Sequence, residues 1–391
     1  MVPPLKTAAG GRGDHRPLVV VAPNAFKGTL SAVEAGAAMV LGLKQGWPGC
    51  QIRSCPMADG GDGTLDILLA ASRGVEVVVR ARDAMGAPCM RRYGRFEGAD
   101  GTEVVIEAAQ VVGLNDAPGQ VEQRTTAGLG DLVRHALDAG ARRFVIGLGG
   151  TSTNDAGAGF LEALGARFLD PGGRALAPSP QALLRVHALD LSLLDARVRA
   201  CTIHVLTDVS NPLVGPDGAT LCYGPQKGMP ADGLRAYDEA LGRIARLYER
   251  ETGHSCIAVP GSGAAGGLGA ALLALGATLG SGAEVVARRV GLHGALKTAS
   301  WVLTGEGCTD RQTLQGKVPW VVARVAREAG VDCALISGRV EPAVLPVLRR
   351  RFAVCRDLMT RAPAPEEIHA RAFPLLVDVT REVAAVWAVS N

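Results

Sequence analysis

Nine cysteines are scattered through the 391 residues without one Cys-x-x-Cys pair, and seven histidines without a His-x-x-x-His spacing or a His/Cys grouping. Zinc-ligand spacing and a paired-thiol redox motif are therefore both missing, and an odd number of cysteines argues against a disulfide framework. The thiols read as reduced, mostly small core residues of a cytoplasmic protein. Residues 1–16 contain no apolar signal core and read as a flexible tail. The most apolar stretch, Leu268 to Leu279, is studded with Gly and Ala and too short to span a bilayer. Lysine and arginine number 41 against 38 acidic residues, with no run of one sign, so neither nucleic acid nor a membrane surface is expected as a partner. No internal repeat and no low-complexity linker interrupts the chain.

Two nucleotide fingerprints also fail. Gly316-Lys317 is followed by Val318 where a P-loop needs Ser or Thr, and no glycine stands five residues upstream. Gly261 to Gly266, "GSGAAG", matches Gly-x-Gly-x-x-Gly but follows Pro260 rather than a strand. Glu284 lies near the distance at which a ribose-binding acid would sit, yet "SGAEVVARRVG" around it reads as a helix, not a strand tip.

What is present is a chain nearly half apolar, foldable, and longer than one hydrophobic core usually serves. Leu18 to Ala22 is a β-branched apolar run, the pattern of a strand buried on both faces. Pro23 ends it, and Ser31 with Glu34 forms a capping box that predicts a helix from Ala32 to about Gln45. The plan recurs as strand 51–55 and helix 64–72, then strand 301–304, helix 320–329 and strand 333–337. Alternating strands and helices predict a mostly parallel α/β sheet, whose ligands bind beyond the carboxyl ends of the strands. Between about Val75 and Glu284 the texture changes, beginning with a hairpin turning at Met85–Pro88, which predicts a second domain inserted into the first. The expected boundaries are 17–75 with 285–391 for the discontinuous domain and 76–284 for the insert.

Five Gly-rich loops carry carboxylates, amides or lysines: "PNAFKGTL", "MADGGDGT", "GLGGTSTNDAGAG", "TDVSNPLVGPDGATLCYGPQKG" and "TGEGCTDRQTLQGK". Glycines let backbone N–H groups approach an oxyanion, and a helix following such a loop adds partial positive charge. Carboxylates in the same loops suit a hard cation such as Mg²⁺ beside phosphate, and Lys27, Lys227 and Lys317 supply positive charge. Together these features point to phosphoryl transfer. Each loop taken alone is also ordinary turn chemistry, and Thr151, Ser152, Asn154 and Asp155 could simply cap the helix at 157–165.

The ordered motifs Pro23-x-x-Phe26-Lys27-Gly28-x-Leu30-Ser31, Met57-Ala58-Asp59-Gly60-Gly61-x-Gly63-Thr64, Gly149-Gly150-x-x-x-Asn154-Asp155-x-Gly157, Asp208-x-x-Asn211-Pro212-Leu213, Gly224-Pro225-Gln226-Lys227-Gly228, Gly263 to Gly269 and Thr304-Gly305-Glu306-Gly307-x-x-Asp310-x-Gln312-Thr313 resemble the bacterial type I glycerate kinases, from about Val19 to the C-terminus. The resemblance implies a flavodoxin-like domain interrupted by a second α/β domain, with the active site in the cleft between them. It also implies transfer of the ATP γ-phosphate to D-glycerate with Mg²⁺, most often giving 2-phosphoglycerate.

On that reading, Gly149, Gly150, Thr151, Ser152 and Asn154, with Gly263, Gly266 and Gly267, bind nucleotide phosphates. Asp59 and Asp208 bind metal or receive the hydroxyl proton, with Asp155 as a further metal ligand and Asp310 as a further catalytic group. Lys27 and Lys227 neutralise charge, and Phe26, Asp62, Glu306, Arg311 and Gln312 face glycerate. Many relatives carry Asp at the place of Asn24, Glu at that of Asp62 and a basic residue at that of Cys308, whose charge Arg311 would replace. An NAD-dependent hydroxy-acid oxidoreductase and a non-catalytic nucleotide-binding protein are the alternatives.

Overall fold

The computed structural model describes residues 16–114, 120–361 and 365–390, so the expected tail, apart from Arg16, lies outside the described residues. In chain order the strands are β1 (Leu18–Val21), β2 (Gln51–Ser54), β3 (Gly74–Arg82), β4 (Pro88–Gly98), β5 (Gly101–Glu107), β6 (Arg143–Gly147), β7 (Arg167–Leu169), β8 (Ala188–Asp190), β9 (Thr202–Leu206), β10 (Thr278–Gly280), β11 (Trp301–Thr309), β12 (Asp332–Val340) and β13 (Val354–Asp357). Six of the helices matter below: α1 (Ala32–Gly46), α2 (Thr64–Ala71), α3 (Ala158–Ala163), α4 (Ala264–Ala274), α5 (Val318–Glu328) and α6 (Pro365–Ser390). The chain divides into two compact units, 1–58 with 287–391 and 59–286.

The first unit holds a five-stranded sheet in the order β13-β12-β11-β1-β2, every neighbouring pair parallel. Numbered within the unit, that is the 2-1-3-4-5 order of flavodoxin-like folds, whose switch point lies between the first and third strands, here β1 and β11. Val19, Val21, Leu303 and Ile336 pack against α1 and α6, while the alternate residues Val20, Val302 and Leu335 are buried too, as a strand covered on both faces requires. The capping box at the start of α1 is present in full: Glu34 N–H donates to the Ser31 hydroxyl, and Ser31 N–H donates to the Glu34 carboxylate at 2.8 Å. Strand β11 runs five residues past the expected Thr304 and pairs along Gly305–Thr309 with β12, because its glycines admit the neighbouring backbone where side chains would not fit. Glu306 therefore sits on a strand and not in a loop.

The second unit is built on a mixed six-stranded sheet, β10-β9-β6-β5-β4-β3. The β3–β4 hairpin turns where the sequence places it, with the Asp83 carboxylate accepting N–H bonds from Met85 at 2.8 Å and Ala87 at 2.9 Å. From β5 to β10 the pairs are parallel, so the loops after β5, β6, β9 and β10 emerge at one edge of the sheet. The unit starts at Asp59, before α2, rather than near residue 76. Helix α2 is fixed in this unit by the Leu65 N–H, which donates to the buried Glu107 carboxylate at the end of β5 at 2.7 Å.

Ser31→Ala removes the α1 cap and is expected to destabilise the first unit by about 1 kcal/mol. Urea unfolding followed by circular dichroism checks this, and an unchanged midpoint would contradict it.

Candidate active site

In the second unit the Gly-rich segment after β6 is shaped by one carboxylate. Asp155, fully buried, accepts hydrogen bonds from the Thr126 N–H at 2.8 Å, the Thr126 hydroxyl at 2.8 Å, the Thr153 hydroxyl at 3.1 Å, the Gly157 N–H at 3.0 Å and the Gly159 N–H at 3.2 Å. Burial raises its pKa, and the bonds from Thr126, Gly157 and Gly159 oppose the rise. This environment serves loop shape and the start of α3, so the structure directs Asp155 away from a metal. Asn154 is likewise occupied, its amide donating to the Thr220 hydroxyl at 3.0 Å. The hydroxyls of Thr151 and Thr153 bond within the loop, at 3.2 Å to Leu148 O and 3.1 Å to Asp155, and Ser152 Oγ accepts from Arg124. Gly149 is half-buried and Gly150 exposed at the tip.

Gly263, Gly266 and Gly267 are buried. A Cβ on Gly266 would stand 1.9 Å from Thr153 O, and Gly266 O accepts the Ala156 N–H at 3.0 Å. The close approach expected to serve phosphate thus serves the neighbouring loop. The α4 segment lies directly behind residues 153–156, and both contain alanines in left-handed conformation, Ala156 at φ 55° and Ala265 at φ 52°. "GSGAAG" follows no strand, and Gly261 and Gly263 N–H donate to Asn211 O, so it is no dinucleotide fingerprint.

Asp59 and Asp208, both half-buried, flank the turn after β10. Asp208 Oδ1 accepts the Gly282 N–H at 3.2 Å, and a Cβ on Gly282 would lie 2.0 Å from Asp59 O. Asp59 Oδ1 also accepts the Gly61 N–H at 3.1 Å, and Gly60 O accepts the Gly149 N–H at 3.3 Å, tying this loop to the one after β6. Asp62 is exposed. Lys227, half-buried, donates to Thr153 O at 2.9 Å; burial lowers its pKa to about 8 and Asp155 opposes the shift. Among the described residues no cluster of three or more His, Cys, Asp or Glu side chains could hold a metal ion. A pair of carboxylates with phosphate oxygens and water is instead the usual magnesium arrangement.

In the first unit the switch point gathers a different set. Ala22 and Asn24 N–H donate to the Leu303 and Gly305 carbonyls at 2.8 Å, carrying the β1 loop along β11 to buried Phe26 and exposed Lys27. Asn24 Oδ1 accepts the Ala25 N–H at 2.9 Å. Glu306, 4% exposed, accepts the Thr309 hydroxyl at 2.9 Å and the Thr313 hydroxyl at 2.7 Å through one oxygen, Oε1. Burial pushes its pKa up to about 7 against those two bonds and the charge of Lys317, while Asp310 adds to the rise. Asp310 Oδ1 accepts the N–H groups of Gln312 at 2.8 Å and Thr313 at 3.2 Å and lies 3.8 Å from Lys317 Nζ. Arg311 and Gln312 are exposed.

These features match known proteins over nearly the whole chain. A model of the glycerate kinase family matches residues 19–388. The chain belongs to the glycerate kinase family. It is 38% identical over 373 residues to the glycerate kinase of Bacillus subtilis (strain 168), covering 94% of this chain and 97% of that protein. It is 35% identical to the glycerate 2-kinase of Escherichia coli (strain K12), covering 95% and 98%. A crystal structure of a glycerate kinase 2 candidate from Salmonella typhimurium LT2 aligns with a TM-score of 0.78 at 35% identity, covering 96% of this chain and 99% of that one. Membership makes the chain a phosphotransferase acting on glycerate, and the oxidoreductase and pure binding-protein readings fall away.

Three charged residues escaped the sequence reading. Arg124 donates to the Gly-rich loop at Ser152, Glu107 anchors α2, and Arg339, the β12 register partner of Cys308, places Nη2 3.8 Å from its Sγ. Arg339 is thus a cation beside Cys308, where the sequence suggested Arg311. Only Arg124 had a local signal, standing just before the helix-entry pair Thr125-Thr126.

Asp155→Asn places an amide N–H₂ against backbone donors. We expect a loss of about 2–4 kcal/mol in stability, measured by denaturant unfolding; a stability unchanged from wild type would show that Asp155 does not hold the loop.

Proposed function

We propose that this glycerate kinase transfers the γ-phosphate of ATP to D-glycerate with Mg²⁺, giving 2-phosphoglycerate and ADP. The observation that carries the reading is the second unit's array of Gly149–Thr151 backbone, Lys227 and the Asp59/Asp208 pair around parallel strand ends. Gly149, Gly150 and Thr151 take the nucleotide phosphates, while Ser152, Asn154, Asp155, Gly263, Gly266 and Gly267 hold that loop in shape. Asp59 and Asp208 would hold Mg²⁺, which draws charge off the phosphates when bound. Lys227 balances the charge spread over the transferring oxygens. In the first unit Lys27 and Arg311 attract the glycerate carboxylate, with Phe26 and Gln312 shaping its surroundings. Asp310 fixes the 310–317 turn through its bonds to Gln312 and Thr313, and exposed Asp62 is left without a role. The discontinuous α/β domain and its insert are assigned to 1–58 with 287–391 and to 59–286.

The test is ³¹P NMR of the protein with Mg²⁺-ATP and D-glycerate. A glycerate-dependent phosphomonoester coupled to one carbon-bound proton supports 2-phosphoglycerate, two such protons indicate the 3-isomer, and no ester sinks the reading. Asp208→Asn and Asp59→Asn are each expected to lower turnover about 10²-fold or more. Lys227 carries its charge below about 8, so turnover should fall as pH rises through that value. Lys227→Arg should keep activity at higher pH, and an identical alkaline profile in that variant would remove Lys227 from the role.

A further inference from the structure

We propose that Glu306 is the catalytic residue that accepts the hydroxyl proton of the substrate, an inference that rests on the kinase reading above. Glu306 stands near the carboxyl end of β11, one of the two strands that flank the switch point, where open α/β sheets bind ligands. Its Oε1 is tethered from two sides, by the hydroxyls of Thr309 and Thr313, and Thr309 is braced in turn by Ser337 Oγ at 2.7 Å. That double tether fixes the carboxylate plane and leaves Oε2 as the oxygen for a substrate hydroxyl. Gly307, the next residue, admits the backbone of Phe26 and Lys27, where a Cβ would lie 3.1 Å from Lys27 N, so the cation-bearing loop after β1 passes against β11 one residue from Glu306.

The charged groups on the elements around it are Lys27 on the β1 loop, Arg339 on β12, and Asp310, Arg311 and Lys317 on the following turn. Four are cations, suited to an anionic substrate, and Lys317 acts on Glu306 directly while Asp310 opposes it. A carboxylate poised near 7 is matched to proton transfer at neutral pH. In the step, the hydroxyl O–H bond breaks with its proton passing to Oε2. The oxygen forms its bond to the γ-phosphorus as the bond from that phosphorus to the β–γ bridging oxygen breaks, and ADP leaves with that electron pair. With the proton assigned to Glu306, the part left to Asp59 and Asp208 is the metal.

The experiment is the pH profile of kcat/KM for D-glycerate in wild type, Glu306→Gln, Thr313→Val and Thr313→Ser. Wild type should gain activity as pH rises through about 7. Glu306→Gln should lose about 10²-fold or more in kcat and lack that limb. Thr313→Val removes a bond that favours the ionised form, so its limb should move to higher pH, and Thr313→Ser should restore it. Because burial raises this carboxyl above its ordinary 4.5, its favourable share of stability is complete below that value and is lost as pH rises through about 7. Glu306→Gln at pH ~8 should therefore melt no lower than wild type, separating lost chemistry from lost folding. A Glu306→Gln enzyme with the wild-type limb, or with kcat within a few-fold of wild type, overturns the proposal. If wild type turns over no glycerate, the functional reading fails instead, and ¹³C NMR of labelled glutamate carboxyls still decides Glu306. A resonance missing from Glu306→Gln that titrates near 7 supports the assignment, and one titrating near 4.5 overturns it.

Discussion

The second unit's chemistry depends on a carboxylate that never meets solvent. Asp155 draws together donors from Thr126, Thr153, Gly157 and Gly159, which belong to a helix entry, a loop and a helix start. An anion removed from water is tolerated only where bonds replace its hydration, and here several do so at once. The Gly-rich segment can then be small and open at its Gly150 tip while being immobilised from behind. Lys227 completes the arrangement, its ammonium bonding to Thr153 O within the influence of the same carboxylate.

The two units divide the electrostatic work differently. In the second unit, Asp59 and Asp208 accept N–H bonds from the buried glycines Gly61 and Gly282, and the loop that Gly60 ties in through Gly149 exposes Gly150, a combination suited to phosphate only through an intervening cation. At the switch point of the first unit, cations outnumber carboxylates and the acid nearest the strand end is buried and tethered, a setting suited to a small anionic acceptor. Both follow from the same rule, that parallel strands deliver their loops to one edge.

Much of this was legible in residue order. The β-branched run at 18–21, the Ser31/Glu34 box and the Met85–Pro88 turn are local signals, and local physics decides them. The continuation of β11 through Gly305–Thr309 was not legible, because glycines read as loop unless the partner strand that needs their bareness is known. Gly266 shows the same limit. Its spacing announces a close approach without saying whether an oxyanion or another peptide approaches. Arg124, Glu107 and Arg339 act on residues 28, 42 and 31 positions away, distances at which sequence carries no pairing signal.

The left-handed alanines join two distant stretches of chain into one piece. Ala156 and Ala265 each hold a backbone conformation that costs an L-residue about 1–2 kcal/mol, and the Ala156 N–H to Gly266 O bond links them. Neither segment keeps that conformation cheaply without the other. Their opening is then a single cooperative event, and amide hydrogens at 153–159 and 263–269 exchange with solvent together, as one sub-global unit of the fold.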